Sequence, residues 1–181
     1  MKIKNNYKIC SLIDLPFLET NLKHLIKIFQ ILEQEFHLKK NSKQKLIDLG
    51  SGDGRIVIYA ALNYGIRSIG YEIDSDLIKG AKEYVKLLKK KKIHKRKNFR
   101  KVKIKMGDIF EQDINKYDFI YIYSLPTMQK FLNHVFKTAK RGAVFISYKY
   151  PLNQFERYLR LEYILKDDDI NHDICYFYKK S

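Results

Sequence analysis

The stretch KLIDLGSGDGRIVIYAA, Lys45 to Ala61, sets three glycines within five residues, Gly50, Gly52 and Gly54, between an apolar run and a helical pattern. An apolar run that halts at a glycine-rich turn and resumes at helical spacing reads as strand, turn and helix. Glycine adopts positive φ and lets a ligand approach the backbone where a Cβ would stand in the way. The turn therefore marks a ligand site at the carboxyl end of a first strand.

Upstream, Leu22, Leu25, Ile26, Phe29, Leu32 and Phe36 recur at helical spacing after Pro16 and the capping candidate Thr20, which predicts a first amphipathic helix. Downstream, GRIVIYAALNYG predicts a helix ended by Gly65, and RSIGYEI a second strand. Asp74 or Ser75 caps the next helix, whose Leu77, Ile78, Ala81, Val85 and Leu88 face the core. KVKIKMG and the almost wholly apolar KYDFIYIYSLP predict a third and a fourth strand. A helix from about Thr127 to Lys140, a fifth strand in GAVFISYKY and two C-terminal strands joined by an acidic turn complete the chain. Strands alternating with helices predict a doubly wound, mostly parallel seven-stranded α/β sheet with right-handed crossovers and a C-terminal antiparallel hairpin. The 181 residues, 45 % of them apolar, suffice for one buried core, so a single domain over 1–181 is expected, with 41–181 forming the core sheet.

No apolar run reaches the roughly 18 residues of a membrane span, and the N-terminal ICSLIDLPFL is interrupted by Asp14, so a cytoplasmic protein is expected. Cys10 and Cys175 stand near opposite ends without a CxxC pair or a histidine at ligand spacing; neither a disulfide framework nor a metal site is predicted. The formal charge of +16 has a local origin. Eleven of the seventeen residues from Lys89 to Lys105 are Lys or Arg and none is acidic; the remainder of the chain holds 25 basic against 20 acidic residues. Such a block binds phosphates or an acidic protein surface, or is a solvated loop in a lysine-biased chain with 29 Lys to 7 Arg.

The glycine turn admits two ligand classes. A dinucleotide site has the spacing G-x-G-x-x-G, whereas here Arg55 takes the place of the small residue that close helix packing needs, which weakens that reading. DLGSGDG, Asp48 to Gly54, resembles the first motif of the seven-strand S-adenosylmethionine-dependent methyltransferases. Further positions fall in that family's order: Glu72 ending the second strand, Asp108 in GDIF after the third, and the loop YSLP after the fourth. The resemblance implies S-adenosyl-L-methionine as cofactor. It implies that Asp48, Gly50, Ser51, Gly52 and Gly54 meet its amino-acid end, that Glu72 accepts both ribose hydroxyls, and that Asp108 accepts the adenine amine beside the backbone of Ile109. The structural alternatives are that Glu72 and Asp74 cap a helix and that Asp108 is a turn residue.

DLGSGDGRIVI, the upstream PFLET and the tyrosine-rich fourth strand are similar, more narrowly, to the lysine methyltransferases that modify the c subunits of ATP synthase and to their archaeal broad-specificity relatives. That resemblance implies a protein substrate carrying the acceptor lysine, and a lid in residues 1–40 with Phe17 and Thr20 over the cofactor. The 181 residues show no long hydrophobic run like the N-terminal anchor of the mitochondrial members, so a membrane substrate like theirs is not expected. The loop of Ser124, Leu125 and Pro126, a candidate substrate pocket, lacks the Asn/Asp-Pro-Pro-aromatic arrangement that holds an exocyclic or amide NH2, and no cysteine lies near it for attack on cytosine. Tyr123, nearest that loop, is the candidate catalytic residue; Tyr121 and Phe119 share its face, so all three also read as core. The remaining alternatives are an RNA methyltransferase that contacts phosphates through the Lys89–Lys105 block, and a non-catalytic cofactor-binding protein.

Overall fold

The computed structural model describes residues 19–167 and 173–181; Phe17, with Pro16 and Cys10, lies outside them. In chain order the elements are α1 (Leu22–Gln34), β1 (Lys45–Leu49), α2 (Arg55–Tyr59), β2 (Arg67–Glu72), α3 (Ser75–Lys91), α4 (Arg96–Phe99), β3 (Val102–Met106), β4 (Phe119–Ile122), α5 (Pro126–Gln129), α6 (Asn133–Lys137), β5 (Val144–Tyr148), β6 (Leu159–Asp167) and β7 (Asp173–Lys180). The strands form one seven-stranded sheet in the order β3-β2-β1-β4-β5-β7-β6. The first five run parallel, β7 returns antiparallel to β5, and β6 pairs antiparallel on its outer side. The expected doubly wound sheet with a C-terminal hairpin is therefore what the chain forms. The order reverses between β1 and β4, which places the switch-point crevice beside the end of β1.

Each face of the sheet buries one layer. On one, Leu25, Ile28, Phe29 and Leu32 of α1 pack with Ile56, Phe119, Tyr121 and Phe177. On the other, Leu132, Val135 and Phe136 pack on Ile47, Ile120, Ile122 and Phe145. A third cluster, Ile58, Leu62, Ile78, Ala81, Phe99 and Ile104, holds α2 and α3 against β3.

Several local expectations are corrected. Asn21, not Thr20, caps α1, its side chain accepting the Lys23 N–H at 2.8 Å; the Thr20 hydroxyl is taken by Tyr121. The helix after the glycine turn is α-helical only to Tyr59 and widens into a π-helical turn, Ala60–Tyr64, that ends at Gly65 with φ +63°. The helix expected over 127–140 is split by a 3-10 turn at Lys130–Leu132. The sequence KFL holds neither Gly nor Pro. The residues either side of it bond elsewhere: Gln129 Nε2 donates to Ser124 O, five residues back, at 3.1 Å, and Asn133 Oδ1 accepts from the distant Tyr158 at 2.8 Å. The lysine block is not one loop, because it supplies the last turn of α3, then α4 and β3.

Phe29 has no exposed surface, so Phe29→Ala should cost about 3–5 kcal/mol in urea unfolding. Leu22, on the same helix but 63 % exposed, should tolerate alanine within about 0.5 kcal/mol, and equal losses at both positions would contradict this packing of α1.

Candidate functional site

The glycine turn leaves β1 and folds back over the end of β2. The N–H groups of Gly50 and Ser51 both donate to Tyr71 O at 3.0 Å, and Gly54 N–H donates to Ser51 O at 2.8 Å. Gly50, Gly52 and Gly54 all have positive φ. At Gly54 the φ of +75° strains any other residue, and an added Cβ, 2.8 Å from Ile104 Cδ1, would also make that side chain shift. Ser51 turns inward against Gly70, where a Cβ would come within 2.4 Å of its Oγ. Gly70 is thus part of the turn's support, although sequence reasoning passed it over. Its only signal was a glycine inside a strand pattern.

Three carboxylates gather here. Asp48, opposite Gly70 and Tyr121 in the sheet, is 2 % exposed, and its Oδ1 has no hydrogen-bond partner among the described residues. Burial, then the neighbouring charges of Glu72 and Asp53, push the Asp48 pKa well above the usual carboxylate range. Glu72 is held by backbone: Oε2 accepts from Gly52 N–H at 2.7 Å, and Oε1 from Ile73 at 2.8 Å and Asp74 at 3.1 Å. It ties the turn to β2, while Asp74 alone caps α3, accepting from Asp76 and Leu77. Asp108 Oδ1 accepts the Phe110 N–H at 2.8 Å and opens a single 3-10 turn, so its turn role is present; Ile109 is half-buried behind it.

A clamp closes the front of the crevice. Thr20, 4 % exposed, shares a 2.7 Å hydrogen bond with the Tyr121 hydroxyl, directly across the sheet from Asp48. Arg55 donates to Thr20 O at 2.7 Å, pairs with Glu19 at 2.9 Å and grips Asp53 through Nε and Nη2. The hydrogen bond to Asp53 is the main reason the Arg55 pKa rises further. The residue that argued against a dinucleotide thus joins the N-terminal segment to the glycine turn. This role was invisible in sequence, because Thr20 lies 35 positions away.

The rim of β4 and β5 is aromatic. Tyr123 is half-buried and meets Tyr148 edge-on at 4.9 Å and Tyr150 at 6.4 Å between ring centres. Lys149, in a left-handed conformation at φ +63°, places Nζ 5.9 Å from both the Tyr123 and Tyr148 rings and 3.4 Å from Asp173 Oδ1. Asp173 is 3 % exposed and accepts from the Tyr148 hydroxyl at 2.5 Å. Ser124 follows Tyr123 with a buried Oγ that has no partner among the described residues; Leu125 and Pro126 then open α5. A cleft of about 760 Å³ runs from Asp53 and Arg55, between the start of α1 and Ala81 and Tyr84 of α3, to Lys149 and Asp173; neither Glu72 nor Asp108 lines it.

A family model of the ANTKMT methyltransferase domain matches residues 48–158, well over half the chain, beginning at Asp48. The chain belongs to that family. The methyltransferase is 26 % identical over 170 residues to a lysine N-methyltransferase of Caenorhabditis elegans named for the c subunits of ATP synthase, covering 92 % of this chain and 81 % of the relative. An RNA methyltransferase of Salinibacter ruber, solved with S-adenosyl-L-homocysteine, is 27 % identical with a TM-score of 0.71, over 90 % of this chain and 94 % of that one. The magnesium protoporphyrin IX methyltransferase of Synechocystis, solved with S-adenosylmethionine, shares the fold at 13 % identity and a TM-score of 0.66, over 92 % and 87 % of the two chains. The protein is an S-adenosylmethionine-dependent methyltransferase. Its crevice fits that cofactor, because a buried carboxylate oxygen without a donor, beside two further acids, is the lining that an ammonium and a sulfonium need.

A carboxyl group whose pKa is raised by folding is most at ease when neutral. Its penalty is absent below the ordinary carboxylate range and grows as pH rises, levelling off above the raised folded value. Without cofactor, Asp48→Asn should therefore melt like the parent near pH 3.5 and above it at pH 8. A variant that melts lower at pH 8 would show that the Asp48 charge is not a burden on the free protein.

Proposed function

We propose that this methyltransferase modifies lysine side chains of a protein acceptor. The observation that supports this acceptor is the seat of Lys149, an alkyl ammonium held among Tyr123, Tyr148 and the buried carboxylate of Asp173, on the cleft shared with the glycine turn. Ring faces and a buried carboxylate stabilise a cation. Burial pulls the Lys149 pKa down, yet Tyr123 and Asp173 outweigh it, and the net shift is upward. The named activity of the C. elegans relative agrees with this reading. That of the Salinibacter neighbour points to RNA instead, but the Ser124-Leu125-Pro126 loop offers no Asn/Asp-Pro-Pro constellation for a base amine.

In this reading Asp48 and the turn of Gly50, Ser51, Gly52 and Gly54 receive the amino-acid end of the cofactor. Glu72 takes the ribose hydroxyls, and Asp108 with Ile109 the adenine edge. The bound cofactor supplies an electrophilic methyl group on a sulfonium. The chain's own work is to align a neutral amine, through Tyr123 and the Ser124–Pro126 loop, and to keep water out with Thr20 and Arg55 across the front. Because the acceptor must shed its proton, turnover should rise with pH until the amine is largely neutral.

Incubation with labelled S-adenosylmethionine and host lysate should give a product destroyed by protease and not by nuclease, with methyl-lysine in its hydrolysate. A nuclease-sensitive product would overturn the lysine reading. Glu72→Ala should weaken cofactor binding by about 1.5–3 kcal/mol in calorimetry. Tyr123→Ala should lower kcat/KM for the protein acceptor by more than about tenfold with cofactor Kd within about twofold, and an unchanged kcat/KM would return Tyr123 to the core.

A further inference from the structure

The two faces of the sheet are not equally covered. The β1-to-β2 connection carries α2, that from β2 to β3 carries α3 and α4, and that from β4 to β5 carries α5 and α6. The β3-to-β4 connection carries only the three-residue turn Ile109–Glu111. On the face where α6 packs over β4 and β5, the strands β2 and β3 therefore have no helix above them. A cleft of about 630 Å³ occupies that place. Lys45 and Arg67 open β1 and β2, Lys101 precedes β3, Lys103 and Lys105 project from it, and Lys116 leads into β4. Lys97 and Arg100 bring the lining to eight cations, with no acid among its residues. Three of the eight, Lys45, Arg67 and Lys116, come from outside the lysine block. Ser68, Ile69, Tyr71 and Tyr117 line the rest of it.

These cations strain against one another. Burial, then Lys97 and Arg67, pull the Lys101 pKa down. Asp118, close to Lys116 in sequence, is already engaged by Lys140 and by the backbone N–H of Lys45. By contrast Lys89, Lys90, Lys91 and Lys92 stand exposed at the end of α3 and line no part of the cleft.

We propose that this uncovered face of β2 and β3 is a binding groove for single-stranded nucleic acid, with the cations on its phosphates and Tyr71 beneath a base. Lysines on a strand and around a concave channel track a backbone without reading sequence, and an aromatic ring adds stacking that every base can use. A bilayer needs an open plane, and an acidic peptide has no use for the half-exposed tyrosine ring. The groove is not a second view of the transfer site. Most of its cations stand at the amino ends of the strands, Arg67 about 16 Å along β2 from Glu72, while its upper end, Tyr71 with its register partner Lys105, lies next to Glu72 but alternates to the opposite face of the sheet. The bound strand is therefore a tether, and the inference holds whichever acceptor the enzyme methylates.

The test is fluorescence anisotropy with a labelled oligouridylate of about eight nucleotides, within the site size of such grooves, over a range of salt. The parent should bind with an affinity that falls steeply with salt. The double variant Lys103→Gln, Lys105→Gln should show a log-log slope shallower by about 1.4, from about 0.7 per phosphate contact on a single strand. Its affinity for S-adenosylmethionine should remain within about twofold, which confirms that it is folded. Tyr71→Leu should lose about tenfold in affinity at every salt concentration with the slope unchanged. Changing Lys89, Lys90, Lys91 and Lys92 to Ser should leave the slope as it is. The proposal is overturned if the parent shows no salt-dependent binding, or if the Lys89–Lys92 variant loses as much slope as the groove variant. Tighter binding of a polyglutamate peptide or of phosphatidylserine vesicles than of the oligonucleotide would overturn it equally.

Discussion

Asp48 is a carboxyl group at the end of a central strand, removed from water, with one oxygen unpartnered among the described residues and two other acids close by. Left alone, that arrangement costs stability, since burial and like charge both resist ionisation. Much of the surrounding architecture keeps it in place. Gly70 leaves room for Ser51 beneath the turn, Glu72 pins Gly52 N–H, and Arg55 neutralises Asp53 while drawing in the N-terminal segment. A site that is uncomfortable when free and satisfied by a cation is what binding a sulfonium and an ammonium asks of a protein that carries +16 overall.

The distribution of charge along the sheet follows the same logic. The carboxyl ends of β1 and β2 carry the acids, whereas the amino ends of those strands and the outer face of β3 carry the cations. Acids at the carboxyl ends and cations mostly at the amino ends of the parallel strands keep the cationic cofactor and the proposed nucleic-acid strand on different parts of the sheet. The helix-free β3-to-β4 connection makes this possible: its Ile114 and Tyr117 share a buried cluster with Ile69, and a helix there would have displaced the lysines from the face.

The order and type of the strands, which depend on local apolar patterning, were legible in the sequence. The alternation of KLIDLG, RSIGYEI and KYDFIYIYSLP was enough for the sheet, and the spacing of Gly50, Gly52 and Gly54 for the turn that leaves β1. What stayed hidden depends on distant partners. Thr20 reads as a helix cap until Tyr121 claims its hydroxyl, Arg55 reads as a departure from a motif until Glu19 and Thr20 meet it, and Asp173 reads as a hairpin residue until Tyr148 and Lys149 close on it. The lysine block was legible as charge but not as a surface. Its division between the end of α3 and the groove depends on which strand lies beside which.

The central claim is that the crevice is built around a carboxylate made to receive a positively charged ligand. The direct measurement is an NMR titration of the Asp48 carboxyl carbon, without and with saturating S-adenosylmethionine. The account predicts a midpoint well above the ordinary carboxylate range in the free protein and a downward shift on binding, as the ligand's positive charge supplies the missing partner. An ordinary midpoint in the free protein, or one that the ligand leaves unmoved, would contradict it.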